Sequence, residues 1–343
     1  MGSARDHLDN RRRAHDALAA RLATLSDDHL AALVPETGAW RVSVHGSQSG
    51  VIDLEGAKVF VKKIALADLE RAAGNEGSTA NLFGLPLFYQ YGVGSAGFGA
   101  RRELSAYLRA SAAALSGECP HFPLAHHWRV LPRTTPRLSA EQRAWLDRAP
   151  DYWDGSEAVR ARLDAISAAS ASIVLFLEYV PESLHAWLAN RWTDGGPDAA
   201  LETTILRFHD QLQGATAFMN GRGMLHFDLN ASNILTDGEQ VYIADFGLTL
   251  CADFDLSPTE RAFFETHRLY DRAYLVWAFA EWLAPKTNPR ILTPALSALI
   301  AHGAPVAKIF RKFLGTLSGE SKSAAYPAMA LEAALAARAD AAV

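Results

Sequence analysis

The chain begins with a polar segment whose apolar residues recur at helical spacing. Over residues 4–34 they are Leu18, Leu22, Leu25, Leu30 and Leu33, set among many charges. This pattern predicts an amphipathic helix. From residue 40 the pattern changes to short runs typical of strands, which are WRVSVHG, GVIDLEG and KVFVKKIAL, separated by glycine-containing turns. These runs predict a small antiparallel sheet.

Residues 74–100 follow neither period and combine many glycines with several aromatic residues and one charge, at Glu76. A disordered linker would be more polar, so we expect an ordered, partly buried loop. Beyond it, RRELSAYLRASAAAL predicts a helix, HFPLAHHWRVL predicts a strand, and residues 133–168 predict a helical insertion. The continuous apolar run SIVLFLEYV, residues 172–180, predicts a strand that is buried on both faces.

Helical spacing dominates after Pro181, most clearly over residues 201–220 and 269–284. Strands first and helices later predict a sheet-rich lobe joined to a helical lobe. The expected organisation is an N-terminal helical extension over 1–39, a sheet-rich lobe over 40–180 with insertions at 74–100 and 133–168, and a helical lobe over 181–343. Ligands usually bind in the cleft between such lobes.

Composition narrows the class of partner. The chain has 343 residues, 49% of them hydrophobic, and a net charge of −5 without a long basic block, so we expect no nucleic acid and no membrane as partners. No apolar run reaches the roughly 18 residues of a membrane helix, and the polar start is not typical of a signal peptide. Cys119 and Cys251 lie outside metal-binding spacings, so we expect two buried thiols in a reducing, cytoplasmic setting.

One short stretch concentrates polar groups between apolar runs. In GMLHFDLNASNILTDGEQVYIADFGLTL, residues 223–250, Asp228 is followed by Asn233 and then by Asp245 of a DFG triplet. Carboxylates and an amide in such apolar surroundings are costly without partners, and the usual partners of this set are a hard cation and phosphate oxygens. The stretch therefore predicts a site for a metal ion and a nucleotide.

The motif HxDxxxxN followed by DFG resembles that of the protein-kinase-like superfamily, which includes eukaryotic-type protein kinases, aminoglycoside phosphotransferases and choline kinases. The resemblance covers roughly residues 40–285. It implies an α+β, bilobal kinase-like fold, with a small antiparallel-sheet lobe, a helical lobe and the ATP cleft between them. It also implies ATP and Mg²⁺ as cofactors, because the superfamily transfers phosphate from a metal-bound nucleotide.

The resemblance assigns roles within the stretch. Asp228 would be the base that orients the acceptor hydroxyl, and His226 would brace the loop. Asn233 and Asp245 would bind Mg²⁺. Asp271 matches the helix aspartate that braces the catalytic loop in this family, with a surface-facing side chain as the alternative.

Further residues are assigned upstream. Lys62 in KVFVKKIAL matches the strand lysine that contacts the α- and β-phosphates and pairs with a helix glutamate. Its neighbour Lys63 is predicted to face solvent, because successive strand residues point to opposite faces. For the glutamate we favour Glu103, with Glu70 and Glu76 as the alternatives.

The nucleotide-binding backbone is expected at two further places. Gly46, Ser47 and Gln48 lie in HGSQSG, where the family has its phosphate-covering loop, although a plain hairpin turn fits this run equally well. The backbone of Glu178 and Val180 would bind the adenine edge. Within the helical lobe, Leu235 would form the floor of the adenine site, with plain core packing as its alternative.

Departures from the family pattern bear on the acceptor. Phe227 replaces the Arg of HRD, and no APE triplet follows DFG. Asn230, which we place among the catalytic residues, stands where protein kinases have a Lys. We therefore expect a small hydroxylated acceptor, such as an antibiotic in a resistance setting, over a protein. A bacterial Ser/Thr protein kinase is the alternative, and a nucleotide-binding pseudokinase scaffold is the second alternative.

Two further features are expected to shape the acceptor site. Insertions 74–100 and 133–168 would wall the cleft, with structural padding or a homodimer contact as the alternatives. The acidic run DYWDG and the residues Asp253, Asp255 and Glu260 would attract a cationic acceptor, with ordinary solvated charge as the alternative.

Overall fold

The computed structural model describes residues 4–34, 40–43, 47–133, 139–193, 195–284, 291–319 and 321–340. The N-terminal part contains, in chain order, α1 (Ala4–Ala23), α2 (Asp27–Leu33), β1 (Arg41–Val42), β2 (Gln48–Leu54), β3 (Ala57–Leu66), α3 (Asp68–Arg71), α4 (Ala100–Ser116), β4 (Ala125–Pro132), α5 (Ala140–Tyr152), α6 (Glu157–Ala168) and β5 (Ala171–Glu178). It is the sheet-rich lobe together with its helical additions.

The C-terminal part is dominated by helices. It contains, in chain order, β6 (Glu182–Ser183), α7 (Leu184–Arg191), α8 (Ala199–Gly221), β7 (Met224–Leu225), β8 (Ile234–Thr236), β9 (Val241–Ile243), β10 (Leu250–Cys251), α9 (Pro258–Thr266), α10 (Tyr270–Leu283), α11 (Pro294–Gly319) and α12 (Ala328–Asp340). The chain thus has the α+β, bilobal kinase-like fold that the sequence predicts. The helices predicted over 201–220 and 269–284 are α8 and α10.

The main sheet is antiparallel, with the strand order β1-β2-β3-β5-β4. Strand β5 is buried along nearly its whole length, as its unbroken apolar run predicts. Its alternate residues pack into two different cores, because Leu175 faces the core shared with the helical lobe while Val174 and Phe176 face α1 and α2. The sheet is therefore covered on both faces.

The N-terminal extension covers the face of the sheet that points away from the helical lobe. The amphipathic pattern over residues 4–34 folds as two helices, and Ser26 begins the second by accepting a hydrogen bond from the His29 N–H. Arg11 on α1 donates through Nε and Nη2 to the two carboxylate oxygens of Glu178, at 2.8 and 2.7 Å. Because Glu178 ends β5, this two-point ion pair attaches the extension where one lobe passes into the other.

The prediction that Lys63 faces solvent is wrong. Lys63 does lie on the face of β3 opposite to Lys62, but α2 and the chain after it cover that face, and Lys63 is 3% exposed. Its ammonium group donates to the Val34 carbonyl oxygen at 2.6 Å and lies 4.5 Å from the ring centroid of Trp40. The carbonyl and the aromatic face offset the cost of burying the charge.

Residues 74–100 form the ordered, partly buried loop that the sequence predicts. Their one regular element is a 3₁₀ turn over Leu87–Gln90. The next residue, Tyr91, inserts its ring among aromatic side chains of the helical lobe, which are Phe227, Phe263, His267, Tyr270 and Phe313. Its hydroxyl lies 2.6 Å from Nε2 of His267. The loop therefore joins the sheet-rich lobe to the helical lobe.

Two smaller expectations concern burial. Cys119 and Cys251 are both buried and unpaired, as predicted. Within the described ranges, no helix combines the length and the apolar character that crossing a lipid bilayer requires.

We predict that His267 makes the fold less stable as the pH falls from 6.5 towards 4. Burial lowers the pKa of His267 to about 4, and the Phe263 carbonyl only partly opposes this shift. The unfolded chain therefore takes up the proton first, so the stability is complete above pH 6.5 and declines below it. A shift of this size corresponds to about 3 kcal/mol by pH 4.

Urea unfolding at several pH values between 4 and 8 measures this decline. His267→Gln removes the titrating group. The slope of the unfolding free energy against pH should therefore decrease, relative to the wild type, by an amount that corresponds to about one bound proton. Other buried histidines titrate equally in both proteins and cancel in the difference. An identical pH dependence in the variant would show that His267 does not titrate in this way.

Candidate active site

Lys62 is the centre of the site and contacts two carboxylates from other elements. Its Nζ lies 2.6 Å from Oε1 of Glu103 on α4 and 2.7 Å from Oδ1 of Asp245. Burial alone would lower the pKa of Lys62, but the charges of Asp245 and Glu103 outweigh it and raise the pKa well above its usual value. The ammonium group therefore stays charged, and the structure brings Lys62 together with Glu103 rather than with Glu70 or Glu76.

The predicted catalytic loop, residues 226–233, is held by Asp271 at the start of α10. This carboxylate is fully buried and accepts hydrogen bonds from the N–H groups of His226 at 2.7 Å and Phe227 at 3.0 Å. Phe227 has a positive φ of 65°, which is strained for a bulky residue and persists because these bonds hold it. The His226 ring adds a bond from Nε2 to the Ala244 carbonyl at 3.0 Å. Asp271 thus braces the loop, and the surface-facing alternative does not apply.

Asp228 is held between two amides. Asn230 Nδ2 donates to its Oδ1 and Asn233 Nδ2 donates to its Oδ2, both at 2.9 Å. Burial raises the pKa of Asp228 to about 6, although the bonds from Asn230 and Asn233 oppose the shift. The carboxylate is therefore ionised at neutral pH while its pKa is closer to neutrality than that of an ordinary Asp, which suits a general base.

Asn233 and Asp245 offer hard oxygen atoms for a cation. Ala244 N donates to the Asn233 carbonyl at 2.9 Å, so the residue preceding Asp245 is tied to the catalytic loop. The amide nitrogen of Asn233 is used by Asp228, which leaves its amide oxygen for a metal, and the Asp245 side chain is 49% exposed. Among the described residues, no three His, Cys, Asp or Glu side chains form a metal cage. An Asp and an Asn fit Mg²⁺, which usually takes few protein ligands and completes its shell with phosphate and water.

A cavity of about 170 Å³ lies beside Lys62, Asp228 and Asp245. The predicted site residues that line it are Ser47, Lys62, Glu103, Asp228 and Asp245. Ser47 lies in the connection between the antiparallel strands β1 and β2. Both predictions for this run, a phosphate-covering loop and a plain hairpin turn, place it there. Gly46 lies outside the described residues. Gln48 does not line the cavity, because it is buried in β2 opposite Lys63.

The predicted adenine-binding residues lie outside this cavity. The N–H of Glu178 donates to the Leu124 carbonyl at 2.8 Å, and its side chain binds Arg11. The N–H of Glu178 is therefore already used, and the donor to an adenine edge would have to come from Val180. Leu235 is half-buried on β8, where its neighbour Ile234 is fully buried.

Comparison with known proteins points in the same direction as this geometry. A family model described as protein tyrosine and serine/threonine kinase matches residues 158–261, which contain β5, the catalytic loop and the DFG triplet. The chain is 32% identical over 95 residues to CBL-interacting protein kinase 25 of Oryza sativa subsp. japonica, a match that covers 27% of this chain and 18% of that relative. Over these residues the chain is similar to members of the protein-kinase-like superfamily. It spans less than a fifth of the relative's length.

One further segment covers one side of the Asp228 carboxylate. We call residues 90–97 the covering segment. Its Gln90 side chain donates to the Leu248 carbonyl just beyond DFG, and a Cβ atom added at Gly92 would lie 2.7 Å from Oδ1 of Asp228. At Gly97, which has a φ of +74°, an added Cβ would collide with the Gly247 carbonyl oxygen. Glycine is therefore required where the segment touches Asp228 and the DFG triplet.

Arg162 is a residue of the site that the sequence did not reveal. It lies on α6, within insertion 133–168, and its side chain lines the cavity. The guanidinium group donates to Glu70 Oε2 at 2.9 Å, and both side chains are 3% exposed. Glu70 also accepts from the Ala100 N–H at 2.7 Å and so holds the first turn of α4, which carries Glu103. The insertion thus supports the site through a buried ion pair.

The acidic residues after DFG are already paired with basic or polar groups of the sheet-rich lobe. Asp253 binds Arg109 at 2.5 Å, and Asp255 accepts from the Thr79 N–H at 2.9 Å. Glu260 forms a buried ion pair with Arg102 at 2.6 Å. These contacts join the two lobes, and attraction of a cationic acceptor by the three residues stays a prediction.

We predict that Glu70→Gln lowers the free energy of unfolding by about 3–5 kcal/mol, because it leaves the Arg162 charge buried without its counter-ion. Glu265→Gln is the matched control, since it breaks an ion pair with Arg268 whose side chains are 63% and 66% exposed. The control should cost at most about 1 kcal/mol. Urea unfolding of both variants measures the difference, and equal effects would mean that the buried pair does not support the fold.

Proposed function

We propose that the chain is an ATP- and Mg²⁺-dependent protein kinase that phosphorylates serine or threonine hydroxyl groups. The observation that carries this proposal is the pairing of Lys62 with both Glu103 and Asp245. In protein kinases a strand lysine must pair with a helix glutamate, and the DFG aspartate must be in place, before transfer occurs. A scaffold without activity would not need Lys62 and Glu103 buried as a charged pair beside Asp245, because burying charges is costly.

Each residue has a defined task in the proposed reaction. Lys62 would bind the α- and β-phosphates, and Asn233 and Asp245 would hold the metal, which neutralises charge on the phosphate oxygens when bound. Asp228 would accept the proton of the acceptor hydroxyl, and Asn230 keeps its carboxylate oriented through the bond to Oδ1. The Glu178 carbonyl and the Val180 N–H would fix the adenine edge.

The comparisons favour a protein as the acceptor. Both the matching family and the rice relative are described as protein kinases, and neither supports the small-molecule or antibiotic acceptor that the sequence led us to expect. The hydroxyl class follows from the serine, threonine and tyrosine named by the family description. A reducing, cytoplasmic setting is part of the proposal, because both cysteines are buried and unpaired.

A small hydroxylated acceptor is a second candidate, which one observation favours. The covering segment lies against Asp228 at Gly92, on the side from which an acceptor hydroxyl has to approach. A long polypeptide needs an open surface at this place, whereas a compact molecule needs only a gap. An acceptor panel separates the two candidates.

We predict that Asp228→Asn reduces phosphate transfer by at least about 10²-fold while nucleotide affinity changes by less than about threefold, because this residue handles the acceptor proton. Asp245→Asn should reduce both transfer and the affinity for the Mg²⁺–ATP complex, because this residue would hold the metal. Initial rates with labelled ATP and calorimetric titration with a non-hydrolysable ATP analogue, with and without Mg²⁺, measure these effects.

The control for both variants is Asp210→Asn, which makes the same chemical change at an exposed position of α8. It should leave transfer and affinity at wild-type values. Equal losses of nucleotide affinity in Asp228→Asn and Asp245→Asn would contradict the assigned roles. Metal-independent nucleotide binding in the wild type without transfer to any acceptor or to water would instead favour a pseudokinase scaffold.

The acceptor class is tested with one panel that contains serine- and threonine-rich proteins, hydroxylated metabolites and hydroxyl-bearing antibiotics. We expect labelled phosphate to appear on protein and to survive mild acid but not alkaline elimination, as phosphoserine and phosphothreonine do. Asp228→Asn serves as the blank for every acceptor. Transfer to a small molecule with no labelled protein would establish the second candidate.

A further inference from the structure

Three serine side chains line the cavity that contains the proposed catalytic residues: Ser43, Ser47 and Ser95. Ser43 and Ser47 lie at the two ends of the loop between β1 and β2, and their hydroxyls hydrogen-bond each other at 2.7 Å. This loop corresponds to the phosphate-covering position, so these hydroxyls are on the nucleotide side. Ser95 is different, because it belongs to the covering segment.

The covering segment places Ser95 between two points that touch the proposed catalytic machinery. On one side of it, Gly92 lies against the Asp228 carboxylate. On the other side, Gly97 lies against the backbone carbonyl of Gly247 in DFG. Neighbouring Cα atoms are about 3.8 Å apart, so Ser95 cannot be far from either contact. Its side chain lines the same cavity as Asp228 and Asp245.

The segment is anchored firmly enough to keep Ser95 there. The Tyr91 ring is buried in the aromatic cluster of the helical lobe, and its hydroxyl bonds His267. Arg162 Nε contacts the Gly97 carbonyl from the other side at 3.4 Å. The backbone between these anchors turns at Gly94 and Gly97, whose φ values of +104° and +74° favour glycine. The turn presents a single serine.

The covering segment occupies one side of the Asp228 carboxylate, because a Cβ atom at Gly92 would lie 2.7 Å from Oδ1. Ser95 belongs to this segment and lines the cavity that Asp228 also lines. Ser95 Oγ now accepts a hydrogen bond from the Gly97 N–H at 3.0 Å, and rotation about its χ1 bond redirects it. A protein acceptor fits beside Asp228 if the accepting serine belongs to the covering segment itself.

We propose that Ser95 is an intramolecular phosphorylation site of this chain. The inference rests on the proposed function. Ser95 Oγ would form a bond to the γ-phosphorus of ATP while the bond from that phosphorus to the β–γ bridging oxygen breaks, giving phosphoserine and ADP. The hydroxyl proton passes to Asp228 and from there to water.

The test uses the full chain with ATP and Mg²⁺, intact mass measurement and peptide mapping by mass spectrometry. We expect one phosphate group per chain, on Ser95. Because the reaction is intramolecular, the fraction of chain modified per unit time should not change when the protein concentration is varied about 100-fold. A modification rate that rises in proportion to concentration, or phosphate confined to other residues, would overturn the proposal.

Two substitutions at one position separate a chemical role from a structural one. Ser95→Ala should lower phosphate incorporation by at least about tenfold, whereas Ser95→Thr keeps a hydroxyl and should carry the phosphate on threonine. Ser297→Ala, at an exposed position of α11, is the matched control and should incorporate phosphate at the wild-type level. Wild-type incorporation in Ser95→Ala would refute the proposal.

The same experiment distinguishes this inference from the proposed function. A chain that phosphorylates an added protein but never itself at Ser95 would refute the inference and retain the kinase. A chain that transfers phosphate to no acceptor would refute both. Thermal melting of all variants, with and without an ATP analogue, excludes misfolding as the cause of a loss in Ser95→Ala.

Discussion

The site depends on one buried ammonium group, that of Lys62, which must meet two carboxylates from other parts of the chain. Lys62 is placed by the pairing of β3 with β2 and β5, while Glu103 and Asp245 come from α4 and from the DFG segment. Buried charges are stabilising only when their geometry is good and their partners are complete. The register of the sheet, the position of α4 and the conformation at DFG are therefore mutually dependent.

A second set of buried charged residues, Glu70, Arg162 and Asp271, holds the elements around Lys62 in position. Glu70 binds the N-terminus of α4 and Arg162 of α6, so insertion 133–168 determines where α4 begins. On the helical side, Asp271 holds the backbone of the catalytic loop, including the strained residue Phe227. Each carboxylate satisfies several donors at once, which is what allows it to remain buried.

The lobes are joined on both sides of the cleft. On one side, α1 reaches the end of β5 through Arg11, and its His7 lies 3.1 Å from the Tyr242 hydroxyl of the helical lobe. On the other side, the loop 74–100 inserts Tyr91 into the aromatic cluster. Apolar burial supplies the gain in free energy, and the hydrogen bonds fix the position. The covering segment, which is part of this loop, consequently lies against Asp228.

The sequence determined the features that depend on local periodicity or fixed spacing. Strands β3 and β5, helices α8 and α10, and the grouping of Asp228, Asn233 and Asp245 follow from such patterns, and so does the resemblance to the protein-kinase-like superfamily. Only the tertiary structure decided that Lys63 is buried, that Arg162 lines the cavity, that Asp253, Asp255 and Glu260 are paired, and that residues 90–97 cover Asp228. These features arise from contacts between segments that are distant along the chain. A period reports which face of an element is apolar, but not which other segment will cover that face.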